Sequence, residues 1–116
     1  MEQMQNLIEL NETNFEPEVL RAAGPVLVDF YATWCGPCRI LTPFLEQLAG
    51  RFSGRVKFAK LDVDDAPELV GRYDITGVPT LMLFRNGRVI DRSAGLPAPR
   101  VLKASLENAA NPERSL

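Results

Sequence analysis

The sequence predicts an α/β fold in which helices cover both faces of a mixed, five-stranded sheet. Residues 25–31 are a nearly continuous apolar run, and residues 55–61 are a similar run around Val56 and Phe58; such runs are typical of strands that are buried on both faces. Segments with helical periodicity separate these runs. Asn86-Gly87, between the runs 80–84 and 88–93, predicts an antiparallel hairpin. The order β-α-β-α-β-α-β-β-α therefore combines early parallel strands, joined by helical crossovers, with a late antiparallel pair.

Two of the four expected helices come early in the chain. Thr13 or Asn14 is expected to cap the first, with Pro17 in its first turn, where a missing N–H costs nothing. The second begins near Cys35, and Pro43 inside it is expected to kink it. Its apolar face consists of residues at helical spacing, namely Leu41, Phe44, Leu45, Leu48 and Phe52.

The third and fourth helices lie on either side of the hairpin. Residues 65–68 (Asp-Ala-Pro-Glu) are typical of a capped helix N-terminus and predict a short helix to about Tyr73. Pro97 and Pro99 lie at the entry to a last helix. Its apolar positions are Val101, Leu102 and Leu106. Residues 108–116 are polar and are expected to be frayed.

Length, composition and charge restrict the function. The 116 residues are enough for one domain, and the 46% of hydrophobic residues supports a core without metals or disulfide bridges. The formal net charge of −2 gives no reason to expect nucleic acid or an anionic membrane as a partner. No apolar run approaches the roughly 20 residues that cross a bilayer, and residues 1–10 lack the pattern of a secretory signal. We therefore expect a cytoplasmic protein, and we expect a monomer.

The residues with distinctive chemistry are Cys35 and Cys38, in a chain without histidine. A bridge between them would close so small a loop that it would stabilise the fold little. A zinc site needs about four ligands, and there is no second CxxC motif. Asp62, Asp64 and Asp65 are interpreted as a strand end and a helix cap, so no metal is expected. The alternatives that stay open are a metal bridging two chains and a pair of ordinary buried cysteines.

The predicted start of the second helix suggests how the cysteines react. A thiol at position 35 would lie beside unpaired backbone N–H groups and the positive end of the helix dipole, which both stabilise a thiolate. Cys38 lies one turn further along and is expected to be less exposed. Cys35 is therefore the expected nucleophile toward a substrate disulfide, and Cys38 the thiol that resolves the mixed disulfide. Gly36 and Pro37 suit the tight turn that enters the helix.

Two motifs in this sequence closely resemble the thioredoxin family. Residues 34–38 (Trp-Cys-Gly-Pro-Cys) follow a Val-Asp-Phe-Tyr-Ala strand, and residues 77–80 (Gly-Val-Pro-Thr) precede an apolar strand and an Asn-Gly turn. The match continues in order over residues 6–107. It implies one domain, residues 1–116, with the three-layer thioredoxin fold and protein-disulfide reductase activity. It also implies oxidised proteins as substrates, a flavin-dependent thioredoxin reductase as partner, and no cofactor besides the redox-active cysteine pair.

The resemblance assigns roles to further residues. Asp29 corresponds to the family's buried carboxylate, and Lys60 to the lysine beside it. Pro79 corresponds to a proline that faces the dithiol and is preceded by a cis bond, although X–Pro bonds in folded proteins are cis only about 5–6% of the time. The expected substrate-docking surface consists of Trp34, Gly36, Pro37, Val78, Pro79 and Gly95.

The residues support these roles to different degrees. Burial within an apolar strand would raise the pKa of Asp29, so we hypothesise that it accepts a proton from Cys38. The alternative is an aspartate whose oxygens are satisfied by backbone or water. Lys60 could equally be a strand-end lysine in solvent, and we expect it to modulate the reaction without being required. Trp34, the sole tryptophan, is expected to shield the dithiol and pack on substrate. The alternative is that it is a core residue, as a lone tryptophan usually is.

Three features depart from the family pattern. Tyr31 stands where many members have tryptophan, and Arg39 where many have lysine. Residues 96–99 (Leu-Pro-Ala-Pro) are an unusual entry to the last helix and leave the backbone geometry after Gly95 open.

Two other functions are compatible with this motif. A disulfide oxidase or isomerase usually has a histidine in the central dipeptide, whereas Gly36-Pro37 favours a reductase. A non-enzymatic binding module would retain its function when Cys35 is replaced by serine.

Overall fold

A single mixed sheet forms the centre of the protein. The structure, a computed structural model, describes residues 6–111. Its strands are β1 (Leu7–Leu10), β2 (Val26–Tyr31), β3 (Lys57–Asp62), β4 (Thr80–Arg85) and β5 (Arg88–Ala94). Their spatial order is β1-β3-β2-β4-β5. The first three strands are parallel, and β4 and β5 are antiparallel to their neighbours, which confirms the predicted sheet.

Four helices accompany the sheet within residues 6–111. They are α1 (Glu16–Leu20, wound as a π-helix), α2 (Gly36–Arg51), α3 (Pro67–Arg72) and α4 (Pro99–Ala110), and a 3₁₀ turn (Val63–Asp65) precedes α3. Because α4 continues to Ala110, the beginning of the segment expected to fray is helical, and Ala109 is buried. The remainder of that segment, residues 112–116, lies outside the described residues.

The sheet separates two apolar cores. Alternate residues of its central strands face opposite sides, as the pleat requires. Leu27 and Leu81 pack with α2 and α4 on one face, whereas Val28 and Met82 pack with α1 and α3 on the other. β2 is therefore buried on both faces, as its continuous apolar run predicted, and β4 is buried in the same way. In β3, Phe58 and Ala59 are buried on opposite faces, but Lys57, Lys60 and Asp62 are only partly buried, so the prediction holds for that strand only in part.

The prediction of the cap of the first helix is wrong. The N-cap residue of α1 is Phe15, and no side chain among residues 6–111 caps it. Thr13 and Asn14 belong to the turn before the helix, where Asn11 Oδ1 accepts the N–H groups of both residues at 2.8 Å. Asn14 Oδ1 in turn accepts the Asn11 N–H at 2.7 Å. Pro17 lies in the first turn of α1, as expected.

The third helix is capped by a distant side chain. Pro67 lies in its first turn as predicted, but its N-cap residue, Ala66, has no capping side chain, and Asp65 does not serve as one. Instead Glu12 Oε2 accepts the backbone N–H of Glu68 at 2.8 Å. Local spacing could not reveal this contact, because the acceptor lies 56 positions away in the chain.

Cys35 and Cys38 lie where the chain passes from β2 into α2. α2 begins shortly after β2 ends, and Pro43 lies within it; the expected kink stays a prediction. The hairpin between β4 and β5 turns at Asn86 and Gly87, whose φ values of 53° and 79° are those a two-residue type I′ turn requires. The Val78–Pro79 bond that precedes β4 is cis, as the resemblance implied.

Candidate active site

Cys35 and Cys38 form a disulfide at the N-terminus of α2. Cys35 is the N-cap residue, with extended backbone angles, and its Sγ accepts a hydrogen bond from the backbone N–H of Cys38 at 3.2 Å. Pro37 lies in the first turn, where backbone N–H groups have no partner within the helix, so its missing N–H costs no helical hydrogen bond. Cys35 and Cys38 are 4% and 2% exposed, in the order expected from the sequence.

This geometry favours a thiolate on Cys35 when the disulfide is reduced. The Cys38 N–H is one of the orphan donors at the start of a helix, and it already points at the Cys35 sulfur. The 16 residues of α2 add the positive end of their dipole. Both effects favour negative charge on Cys35, whose sulfur caps the helix.

Apolar residues from three segments surround the disulfide. Ala32 packs with the two cysteines, and the partly buried side chains of Tyr31, Val63 and Val78 cover this cluster. Water is therefore largely kept from the sulfurs, which suits an exchange reaction between thiolates and disulfides.

Trp34 immediately precedes Cys35 and is exposed, and its expected shielding of the dithiol stays a prediction. Its side chain is 67% exposed, and its indole N–H donates to Asp64 Oδ2 at 2.9 Å. The sequence interpretation assigned Asp64 to a strand end or cap and missed this contact, since Asp64 reaches Trp34 from another segment of the chain. Asp62 does act as a cap, because its Oδ1 accepts the Asp64 N–H at 3.0 Å.

A shallow apolar groove lies beside Trp34. It has a volume of about 200 Å³, and its lining residues are Trp34, Val63, Val70, Ile75, Thr76, Gly77 and Val78. Val78 is half-buried and Pro79 is buried, while Gly36 and Pro37 are exposed on the rim of the disulfide.

Gly95 lies next to the cis-proline. Its backbone N–H donates to the Pro79 carbonyl at 2.8 Å, and its φ of 78° is a left-handed value that favours glycine. The unusual segment 96–99 therefore leaves the position of Gly95 beside Pro79 intact, and α4 begins at Pro99 after an N-cap, Ala98, that has no capping side chain.

Asp29 is buried in the middle of β2. It is 1% exposed, and neither carboxyl oxygen has a hydrogen-bond partner within the described part of the chain. Desolvation raises the pKa of Asp29 from 3.8 to about 7, against a smaller opposing effect of the Lys60 charge. The alternative in which the backbone satisfies the Asp29 oxygens is therefore wrong within residues 6–111. The raised pKa is what the hypothesis of proton acceptance from Cys38 requires, and that role stays a prediction.

Lys60 lies beside Asp29 but has a different ion-pair partner. The two residues are in register on neighbouring strands. Lys60 Nζ lies 3.7 Å from Glu9 Oε1 and 5.5 Å from the centre of the Tyr31 ring. Its side chain is 24% exposed and β3 continues two residues beyond it to Asp62, so it is not a lysine at a strand end.

The two family departures in this region have defined contacts. The Tyr31 hydroxyl donates to Glu9 Oε2 at 3.0 Å, and Arg39 donates to the Thr33 carbonyl at 2.9 Å. Burial, and then the Glu9 carboxylate, raise the pKa of Tyr31, so that its hydroxyl stays a donor.

The described residues contain neither a metal-ligand cluster nor a membrane-spanning helix. Among residues 6–111, no three His, Cys, Asp or Glu side chains are grouped as metal ligands. In the same part of the chain, no helix has the length and apolar character needed to cross a membrane.

Comparison with known proteins gives consistent matches. The protein-family model for thioredoxin matches residues 6–108. A thioredoxin of Thiocapsa roseopersicina is 46% identical over 84 residues, which cover 72% of this chain and 92% of the relative. A thioredoxin of Pseudomonas aeruginosa is 38% identical over 103 residues, covering 89% and 95%. One from Chlorobaculum thiosulfatiphilum is 43% identical over 96 residues, covering 82% and 89%.

Proposed function

The chain belongs to the thioredoxin family, and from this premise we propose how its residues carry out disulfide reduction. The protein is a thiol–disulfide oxidoreductase, a protein-disulfide reductase whose redox centre is the Cys35–Cys38 pair. The observation that carries the proposal is the sulfur of Cys35 at the N-cap of α2, where it accepts the Cys38 N–H.

In the first step, the Cys35 thiolate attacks one sulfur of a substrate disulfide. A bond forms between Cys35 Sγ and that sulfur, the substrate S–S bond breaks, and the departing substrate thiolate takes up a proton. The contact from the Cys38 N–H and the dipole of α2 favour the attacking thiolate.

In the second step, Cys38 attacks Cys35 Sγ. The Cys38 thiol passes its proton to the Asp29 carboxylate, the Cys35–Cys38 bond forms, and the mixed disulfide breaks. The released substrate thiolate then takes a proton, so two electrons have moved from the dithiol to the substrate. A buried carboxyl whose pKa is about 7 is suited to this exchange at neutral pH.

Substrate is held by the surface around the disulfide. Gly36 and Pro37 border the sulfurs, and Trp34 and Val78 line the adjacent groove. An extended substrate segment would run along Val78, Pro79 and Gly95 and bind by β-augmentation, with its backbone on Val78 and its apolar side chains in the groove.

The family implies a thioredoxin reductase and oxidised proteins as partners. We propose that a flavin-dependent reductase recharges the pair, and that the protein works as a monomer in the cytoplasm. The Gly36-Pro37 dipeptide contains no histidine, which supports a reducing role over an oxidising one. The cytoplasm keeps protein thiols reduced, so it is a suitable compartment for such a reductase.

Two matched variants test the order of events. Cys38→Ser is expected to reduce one substrate bond and then accumulate a covalent complex through Cys35, detectable by mass spectrometry and released by dithiothreitol. Cys35→Ser is expected to form no such complex and to lose turnover of a protein disulfide. Trapping by Cys35→Ser but not Cys38→Ser would reverse the assignment, and full function of Cys35→Ser would instead support a binding module.

A further inference from the structure

A row of charged residues crosses the sheet beneath the active-site helix. Glu9 on β1 is in register with Lys60 on β3, which is in register with Asp29 on β2, and Asp29 is in register with Leu81 on β4. Residues paired in this way project to the same face of a sheet. Leu81 packs in the core under α2, so the row ends beneath the helix that holds the dithiol.

Glu9 uses both of its carboxylate oxygens within this row. Oε1 lies 3.7 Å from Lys60 Nζ, and Oε2 accepts the Tyr31 hydroxyl at 3.0 Å. The Lys60 ammonium also lies over the Tyr31 ring. Glu9, on β1, is therefore the ion-pair partner of Lys60, and within residues 6–111 no ion pair or hydrogen bond joins Lys60 to Asp29 on β2.

Asp29 depends on this cation more than on any other nearby charge. The titratable groups around it come from four elements: Glu9 on β1, Tyr31 on β2, Lys60 and Asp62 on β3, and Cys35 and Cys38 on α2. The cysteines do not titrate as a disulfide, and Asp62 and Glu9 are negative. Lys60 is thus the one cation in this set, and no residue in the described range 6–111 gives Asp29 a hydrogen bond that competes with the field of Lys60.

We propose that Glu9 is a positioning residue: it holds the Lys60 ammonium away from Asp29 and thereby sets the pH at which Asp29 can take the Cys38 proton. The proposal rests on the role of Asp29 given above. A lysine that turned fully toward Asp29 would keep the carboxyl ionised, and it would then be a poor proton carrier at neutral pH. Glu9 keeps the carboxyl in the useful range by competing for the same cation.

Removing the charge on Glu9 is expected to lower the pKa of Asp29. In Glu9→Gln, the amide oxygen can still accept the Tyr31 hydroxyl, but Lys60 is no longer drawn toward position 9. Lys60 then stabilises the Asp29 carboxylate more strongly, and the loss of a nearby negative charge acts in the same direction. The Asp29 pKa therefore falls, and the fall is limited because Glu9 is 55% exposed and its charge is screened by solvent.

The test is a titration of Asp29 in the oxidised protein, where the cysteines cannot couple to it. The chemical shift of its side-chain carboxyl carbon is followed by NMR at low salt in wild type, Glu9→Gln and Glu16→Gln. Glu16 is a matched control, since it is an exposed carboxylate in a surface ion pair with Arg21. The expected result is a lower pKa of Asp29 in Glu9→Gln and an unchanged pKa of Asp29 in Glu16→Gln.

Repeating the titration in a Lys60→Met background separates the mechanisms. If Glu9 acts by holding Lys60, the shift caused by Glu9→Gln falls by at least half in that background. An equal shift with and without Lys60, or no shift at all, would overturn the proposal.

The rate of mixed-disulfide resolution is then measured against pH. A rising limb that moves to lower pH in Glu9→Gln, together with the NMR shift, supports the whole inference. An NMR shift without any change in the rate profile would leave the Glu9–Lys60 coupling standing and overturn the role of Asp29 as proton acceptor.

Discussion

At the scale of single residues, Asp29 is the most unusual group in the molecule. A carboxyl that is 1% exposed and has no hydrogen-bond partner in residues 6–111 is in its stable form when protonated. Its ionisation near neutral pH therefore destabilises the fold. This residue links the stability of the protein to the chemistry proposed for it.

Replacing Asp29 by asparagine is expected to stabilise the oxidised protein at alkaline pH. The folded-state pKa of Asp29 is raised from 3.8 to about 7, so the folded state binds the extra proton in this window. The free energy of unfolding of wild type is then highest below pH 3.8 and declines as the pH rises through 7. The uncharged amide escapes this loss, which by linkage is worth about 4 kcal/mol at pH 8.

Urea unfolding of both proteins between pH 4 and pH 8 measures this difference. The difference in the free energy of unfolding between Asp29→Asn and wild type should be close to zero at pH 4 and should grow as the pH rises. A constant difference across the range would mean that Asp29 does not titrate with a raised pKa.

The same variant is expected to slow the second chemical step. Loss of a positioned proton acceptor lowers a rate by about 10²-fold, and the limb of the pH profile near 7 should disappear with Asp29. The rate is followed in a mixed disulfide between Cys35 and a thionitrobenzoate group, whose release on attack by Cys38 changes the absorbance. The same adduct in Cys38→Ser gives the background, and an unchanged rate in Asp29→Asn across pH would rule out this role.

At the scale of secondary-structure elements, the sequence predicted the helices and strands but not the hydrogen bonds between segments that are distant in the chain. Spacing correctly placed the start of α2 near Cys35, because the cysteine and the first turn of the helix are adjacent in sequence. It placed α3 correctly but not its cap, since the acceptor comes from Glu12. Asp64 was likewise missed as the partner of Trp34. Local patterns thus predict elements better than they predict the contacts between them.

Glu12 is expected to stabilise α3 through its bond to the Glu68 N–H. Glu12→Ala should lower the free energy of unfolding by about 1 kcal/mol, because it leaves a helix N–H without its acceptor and removes a negative charge from the N-terminus. Glu12→Gln is the matched control, since its amide oxygen can still accept the hydrogen bond. Denaturant unfolding in which Glu12→Ala matches wild type would show that this cap is dispensable.

At the scale of the whole molecule, the predicted sheet and helices are confirmed. The alternation of apolar runs and helical patterns was enough to predict a mixed sheet, because each central strand must be buried on both faces. The row from Glu9 through Lys60 to Asp29 could not be predicted, since it depends on the register of three strands that are not neighbours in sequence. The catalytic proposals therefore depend on the fold as a whole, which brings a charged row from the sheet edge to the dithiol.

The central claim, that Cys35 and Cys38 form a reducing pair, is tested most directly by their equilibrium reduction potential. The protein is equilibrated with dithiothreitol mixtures, and its redox state is followed by the fluorescence of Trp34, the sole tryptophan, next to Cys35 in sequence. A reducing pair is expected to have a potential below the glutathione range of about −220 to −260 mV. A potential within or above that range would contradict this claim and would assign the protein to disulfide formation or isomerisation.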